Sequence, residues 1–276
     1  MDENQKDEKR QKMLDRIQRF CLMDDTYMNV FFDGQPELIE YVLRILLNKP
    51  DLKVLKCTCQ KLMENAMGRA ATLDIYAVDS NGRYYDIEIQ NDISQAPPQR
   101  ARYHSSLVDT QSLVRSQPFS ALPECYVIFV LSRDFYGAGK PCYHVDRMVR
   151  ELKNTPFEDG SHIIYVNGQY RGNDSIGRLM HDFNCNKPSD MYDKTLQQRA
   201  KQIKNSQGGK ERMCKIMQEV KDEGRAEGKI EQKEEIALKM LEDRSLSLDK
   251  ISIFSDLSIE RIQELAKERL NRKMQE

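Results

Sequence analysis

Apolar and polar residues alternate through residues 71–78 and 84–90, on either side of Asp79-Ser80-Asn81-Gly82-Arg83. A period of two marks a strand, and two such runs around a glycine-containing turn make a hairpin. Two turns are available. A two-residue type I′ turn at Asn81-Gly82 would pair Ile75 with Glu88 and mix apolar and charged groups on both faces. A three-residue loop, Ser80-Asn81-Gly82, built from a type I turn with Gly82 in the left-handed region, pairs Asp79 with Arg83 and Asp74 with Glu88. One face then reads Leu73, Ile75, Ala77, Tyr85, Ile87, Ile89, and the other Asp74, Tyr76, Val78, Tyr84, Asp86, Glu88, with Gln90 at its end. A slip of one residue destroys that sorting, so the apolar pattern selects the bulged register.

The selected register sets two carboxylates across from one another. Like charges so placed weaken a sheet. On one reading they are solvated acids on an open sheet face. On the other they are a divalent-cation site, because paired carboxylates are hard oxygen ligands suited to magnesium or manganese, and the ion removes their repulsion.

Around the hairpin the periodicity predicts a helix carrying Leu38, Ile39, Val42, Leu43, Leu46 and Leu47, with Pro36 in its first turn, and a strand over 53–59. A helix opens at Pro97-Pro98 and runs to about Arg115, and the continuous apolar run 125–131 reads as a strand buried on both faces. Further on, 145–152 reads as helix, 162–166 as a short strand and 172–205 as mostly helix. Gly208-Gly209 reads as a boundary before a charged helix with an Glu-Gly repeat at Glu223-Gly224 and Glu227-Gly228. The expected organisation is a charged lead-in (1–20), an α/β domain with helical elaboration (21–205) and a helical C-terminal region (206–276).

Composition narrows the class. Charged residues make up 32% and hydrophobic residues 39%, so long stretches must be solvated. The net charge is −1, so binding to a polyanion requires a local basic surface. The seven cysteines are odd in number and lack CxxC spacing, which points to free, mostly buried thiols in a reducing cytoplasm. The N-terminus lacks a signal-peptide core and no apolar run is long enough to span a bilayer, so no membrane association is expected. The four histidines lack zinc-protease spacing, and there is neither a P-loop nor a GxSxG elbow.

Helix, three strands, helix, strand, with Asp on the second strand and Glu-x-Gln on the third, resembles the PD-(D/E)xK nuclease core. The likeness sharpens where Arg69, Leu73-Asp74-Ile75, Asp79-Ser80-Asn81-Gly82, Tyr85-Asp86-Ile87-Glu88-Ile89-Gln90, Arg100-Ala101-Arg102-Tyr103-His104 and Leu122-Pro123-Glu124-Cys125 follow in order. This succession resembles the recombination-promoting nuclease and transposase family of the PD-(D/E)xK superfamily. Asp24-Asp25-Thr26-Tyr27-Met28-Asn29-Val30-Phe31-Phe32 fits its N-terminal signature, and the likeness extends over about 22–205.

The resemblance implies a restriction-endonuclease-like core and a metal-dependent DNA endonuclease linked to recombination or transposition. It implies Mg²⁺, or Mn²⁺, held by Asp74, Glu88 and the carbonyl of Ile89. Superfamily members usually carry Lys where this chain has Gln90. Glutamine brings no charge and no base, but it can orient a water. Arg69, Arg100, Arg102 and Tyr103 are the implied DNA contacts, against the plainer reading of a solvated basic helix face. Glu37 or Glu40 would be a further acid from the first helix. Two other classes stay open: a DNA-binding protein without useful catalysis, using a helix-turn-helix-like segment at 247–262, and an oligomer built on the repeat helix. DNA is the expected partner, with a homodimer through the C-terminal helices.

Overall fold

The computed structural model describes residues 3–65, 68–242 and 246–273. The outermost residues of the lead-in and of the C-terminal region, and the side chains of Glu223 and Glu227, lie outside what is described. The chain forms two compact units, Met1–Cys214 and Lys215–Glu276.

The first unit opens with α1 (Glu3–Arg19), α2 (Asp25–Phe32) and α3 (Pro36–Leu47). Pro36 sits in the first turn of α3, where its missing N–H costs nothing, and Asn48 ends the helix in the left-handed conformation. Three antiparallel strands follow, β1 (Val54–Met63), β2 (Ala71–Asp79) and β3 (Tyr84–Gln90), and then α4 (Pro98–Ser112). Next come β4 (Cys125–Leu131), β5 (Cys142–Val145), the two-stranded β6 (Met148–Val149) and β7 (Thr155–Pro156), and β8 (Ser161–Asn167). The main sheet has the order β1-β2-β3-β4-β8-β5, with β3, β4 and β8 parallel. α5 (Ser175–Asn184) and α6 (Lys194–Asn205) complete the unit with the first turns of α7 (Gln207–Glu242).

Both faces of the sheet are covered. Every residue of β4 is buried, as its unbroken apolar run requires. Leu73, Ile75, Ala77, Tyr85, Ile87 and Ile89 are each at most 1% exposed. The face under α4 packs Val127, Phe129 and Leu131 against Ala101, Leu107 and Val108, and Leu73, expected beside Ile75 on the other face, clusters here instead.

The hairpin adopts the register that the apolar pattern selects. Ile75 pairs with Ile87 and Ala77 with Tyr85. The N–H of Asp79 donates to the carbonyl of Arg83 at 3.0 Å, and Gly82 has φ +76°. Asp79 also caps its own turn, its carboxylate accepting from the N–H groups of Asn81 and Arg83.

Three expectations are corrected. Residues 145–152 are not helical: Val145 ends the edge strand β5, paired with Ile163, and a short hairpin and a 3₁₀ turn take the rest. The helical spacing of Val145, Met148, Val149 and Leu152 finds no apolar surface to bury, and edge pairing wins. Gly208 and Gly209 do not break the chain but lie inside α7; the turn falls at Ser206, whose ψ of 151° is extended. The cysteines are free, but only Cys125 is buried.

In the second unit, α8 (Leu248–Ser255) and α9 (Ile259–Lys273) pack Ile251, Ile262 and Leu265 onto Ala237 of α7. Arg261 is held by Glu234, Glu264 and Glu268, and Arg269 by Glu242. Two of the five basic residues of α9, Arg261 and Arg269, are therefore spent on internal ion pairs, which disfavours their use in reading DNA. Among the described residues no helix is long and apolar enough to cross a membrane.

Candidate metal centre

Past the Ile75–Ile87 pair the hairpin ladder gives way to side chains. The N–H of Asp74 donates to Glu88 Oε1, and the N–H of Ile89 donates to Asp74 Oδ2, both at 3.0 Å. Each carboxylate thus closes onto the opposite strand, with one oxygen of each held by a backbone N–H. Gln90 stands at the edge of this arrangement, its Nε2 3.5 Å from Asp74 Oδ2. For Ile89 the contact seen is through its N–H; the carbonyl was the group expected from sequence.

α4 turns this sheet face into an interior. Glu88 and Asp86 are both 0% exposed, so the picture of solvated acids on an open face is wrong. Arg100 and His104, one helical turn apart, point down onto them. Arg100 Nη2 donates to Glu88 Oε2 at 2.6 Å. His104 Nδ1 lies 2.8 Å from Asp86 Oδ2, and Arg100 Nε donates to His104 Nε2 at 3.3 Å. Burial lowers the His104 pKa, and the nearby Arg100 adds to this. The ring is therefore neutral, with its proton on Nδ1 toward Asp86 and its Nε2 accepting from Arg100.

Burial pushes the Asp86 carboxyl up to about 8. Glu88 is also raised, by burial first and then by the charges of Asp86 and Asp74, and these outweigh the opposing pull of His104 and of the Asp74 N–H. Asp74 is raised by burial too. Asp86 Oδ1 is buried with no partner. Three crowded carboxyls resist ionisation, one with an orphaned oxygen, and the single guanidinium of Arg100 leaves them short of positive charge. A divalent cation fits that deficit, and each laced oxygen keeps a second lone pair for it.

Asp86, Glu88 and His104 bring metal-competent atoms within 4.8 Å of one another. Both nitrogens of His104 are engaged, however, and the adjacent guanidinium repels a cation. Asp86 and His104 lie buried beneath Glu88 and support it from the α4 side. A second such group, His181, Asp182 and Cys185, is structural: Asp182 accepts from the N–H groups of Tyr192 and Asp193.

The basic residues expected from sequence come together. Arg69, Arg100, Arg102 and Tyr103 line one groove of about 920 Å³, along with Asn65, Gln95 and Ser106, and among the described residues no acidic one lines it. Tyr103 braces its wall: its hydroxyl donates to the carbonyl of Arg69 and accepts from Asn65 Nδ2.

Neither Glu37 nor Glu40 reaches the carboxylates. Glu37 is exposed, and Glu40 is occupied by Arg44 and by the N–H of Val54, tying α3 to β1. The acid of the N-terminal helices whose charge reaches Asp74 is Asp25, in the first turn of α2. Its charge raises Asp74, and it feels Arg100 in turn. Sequence reading missed Asp25, Asp86 and His104 as site residues. The i, i+4 spacing of Arg100 and His104 on a helix following the Glu strand was the available signal.

The comparisons with known proteins agree with this geometry in part. No curated protein and no solved structure matches the chain. A family sequence profile does match, over residues 35–171, a span that holds the hairpin, the laced carboxylates and α4. Residues 35–171 of this chain thus match the PD-(D/E)XK nuclease family transposases.

Proposed function

We propose that this chain is a metal-dependent DNA endonuclease that hydrolyses phosphodiester bonds in the recombination or transposition of mobile DNA. The observation that carries the proposal is the pair Asp74 and Glu88, laced across the hairpin and crowded by a third buried acid. The succession α3, β1, β2, β3, α4, β4 supports a restriction-endonuclease-like core around it.

Asp74 and Glu88 would hold Mg²⁺ or Mn²⁺, with the carbonyl of Ile89 as a further donor. When bound, the cation supplies Lewis acidity toward the phosphate and acidifies water. Gln90 orients the attacking water through its amide and takes no proton. Arg69 and Arg102 bind phosphates along the groove, where a fork of N–H donors matches phosphate oxygens, and Tyr103 keeps Arg69 in place. Arg100 lines the same groove but spends its donors on Glu88, His104 and the Gln95 carbonyl. His104 and Asp86 hold Glu88 from beneath. The free cysteines suit the cytoplasm. Cutting both strands needs two sites or one site used twice. A homodimer through the C-terminal helices would supply the second, and the open space over Gly224 and Gly228 leaves room for a helix of another copy.

The test is nicking of supercoiled plasmid by purified protein with and without Mg²⁺. Glu88→Ala, melting like wild type, is expected to lose nicking while DNA binding persists. Arg102→Ala is expected to weaken binding and reduce its salt slope by about one counterion. Nicking by Glu88→Ala at the wild-type rate would leave a catalytically weak DNA-binding or oligomeric protein as the better reading.

A further inference from the structure

We propose that Gln60 is a positioning residue for Asp74, held in a strained backbone conformation so that its amide fixes one oxygen of that carboxylate. The inference rests on the metal-nuclease reading and adds a residue to it.

The positions on either side of Gln60 are regular: Cys59 pairs with Ile75 and Lys61 with Leu73. Gln60 should therefore face Asp74 as an ordinary strand residue. Instead its φ is +51°. The register is the same on both sides, so no inserted residue forces this conformation. The other non-glycine residues of positive φ among those described are Asn48, Lys153, Asn154, Glu158 and Asp256, all at helix ends or in loops. Gln60 alone of this set lies inside a strand. A side chain with a Cβ is disfavoured there, and such strain persists only where something offsets it.

What the turned backbone achieves is visible in the contacts. Gln60 Nε2 donates to Asp74 Oδ1 at 3.3 Å and to Asn29 Oδ1 at 3.1 Å. Asp74 Oδ2 is already fixed by the N–H of Ile89. The Gln60 amide thus pins the remaining oxygen, stops the carboxylate from rotating, and ties it to α2. Asn29 lies one turn after Asp25, the acid whose charge reaches Asp74. A local stretch of β1 and one face of α2 therefore converge on the same carboxylate.

Strain and function then make opposite demands on this residue, and the test uses that opposition. In the full-length protein, Mn²⁺ binding is measured by calorimetry and by the loss of its free-ion resonance signal, beside thermal melts without metal. Gln60→Gly removes both strain and amide. It is expected to melt about 2 °C higher and to bind Mn²⁺ about tenfold more weakly. Gln60→Asn tolerates the left-handed backbone but is one methylene too short. It is expected to melt like wild type and to lose affinity to the same extent. Wild-type affinity in either variant overturns the proposal. So does affinity that falls together with melting temperature, since Gln60 would then be an ordinary strand residue. If the wild-type protein itself binds no Mn²⁺, the metal-nuclease reading fails, and this inference with it.

Discussion

Asp86 and Glu88 sit two residues apart on one strand, both under α4, and that choice has a measurable cost. Their carboxyls hold protons well above the usual range, because burial disfavours the charged form and the neighbouring acids add repulsion. An unfolded chain releases such protons near pH 4. Between about pH 4 and about pH 8 the native state therefore binds more protons than the unfolded state, and stability falls as pH rises. The metal-free protein should melt progressively lower from pH 5 to pH 8. Asp86→Asn, which still accepts from His104 Nδ1 and carries no charge, should flatten that slope. Its melting temperature at pH 8 should exceed that of wild type. Because a cation binds the ionised carboxylates, apparent Mg²⁺ affinity should climb over the same window. A wild-type melting temperature that is flat or rising across this range would show that the crowded acids are not protonated in the fold.

At the scale of elements, the hairpin turn decides which residues meet. Gly82 has φ +76°, and a Cβ added there would meet nothing within 4 Å. The cost of Gly82→Ala is therefore conformational alone, about 1–2 kcal/mol. Gly82→Asn, whose side chain tolerates the left-handed region, should cost much less. Urea denaturation of the two variants separates them; equal losses would mean that the turn is not held in this conformation. The register of this hairpin was legible because the side-chain period is two and the apolar parity admits one solution. The limits of β3 and β4 were legible for similar reasons. The helix expected over 145–152 was not, because edge pairing of Val145 with Ile163 is a contact between distant segments that local spacing does not encode.

At the scale of the whole molecule, the first compact unit extends into α7. Met213 is 0% exposed and Arg212 bonds to Asp33 at 2.6 Å, so the first turns of that helix belong to the unit's packing. A chain ending at Cys214 should fold and retain metal-dependent nicking. One ending at Ser206 loses a buried methionine and should be less stable by about 2–5 kcal/mol. Denaturation and nicking assays on both truncations check this; equal stability would mean that α7 contributes nothing to the first unit. The sequence by itself determined the hairpin, its register, and the facing of Asp74 and Glu88, since these follow from alternation and turn chemistry within twenty residues. It also placed Arg100 and His104 one turn apart on a helix. Only the tertiary structure decided that α4 closes over the acids, that the charge of Asp25 rather than of Glu37 or Glu40 reaches Asp74, and that Gln60 turns its backbone to reach Asp74. Burial and charge proximity arise between segments far apart in the chain, and alternation along one strand carries no information about what will cover it.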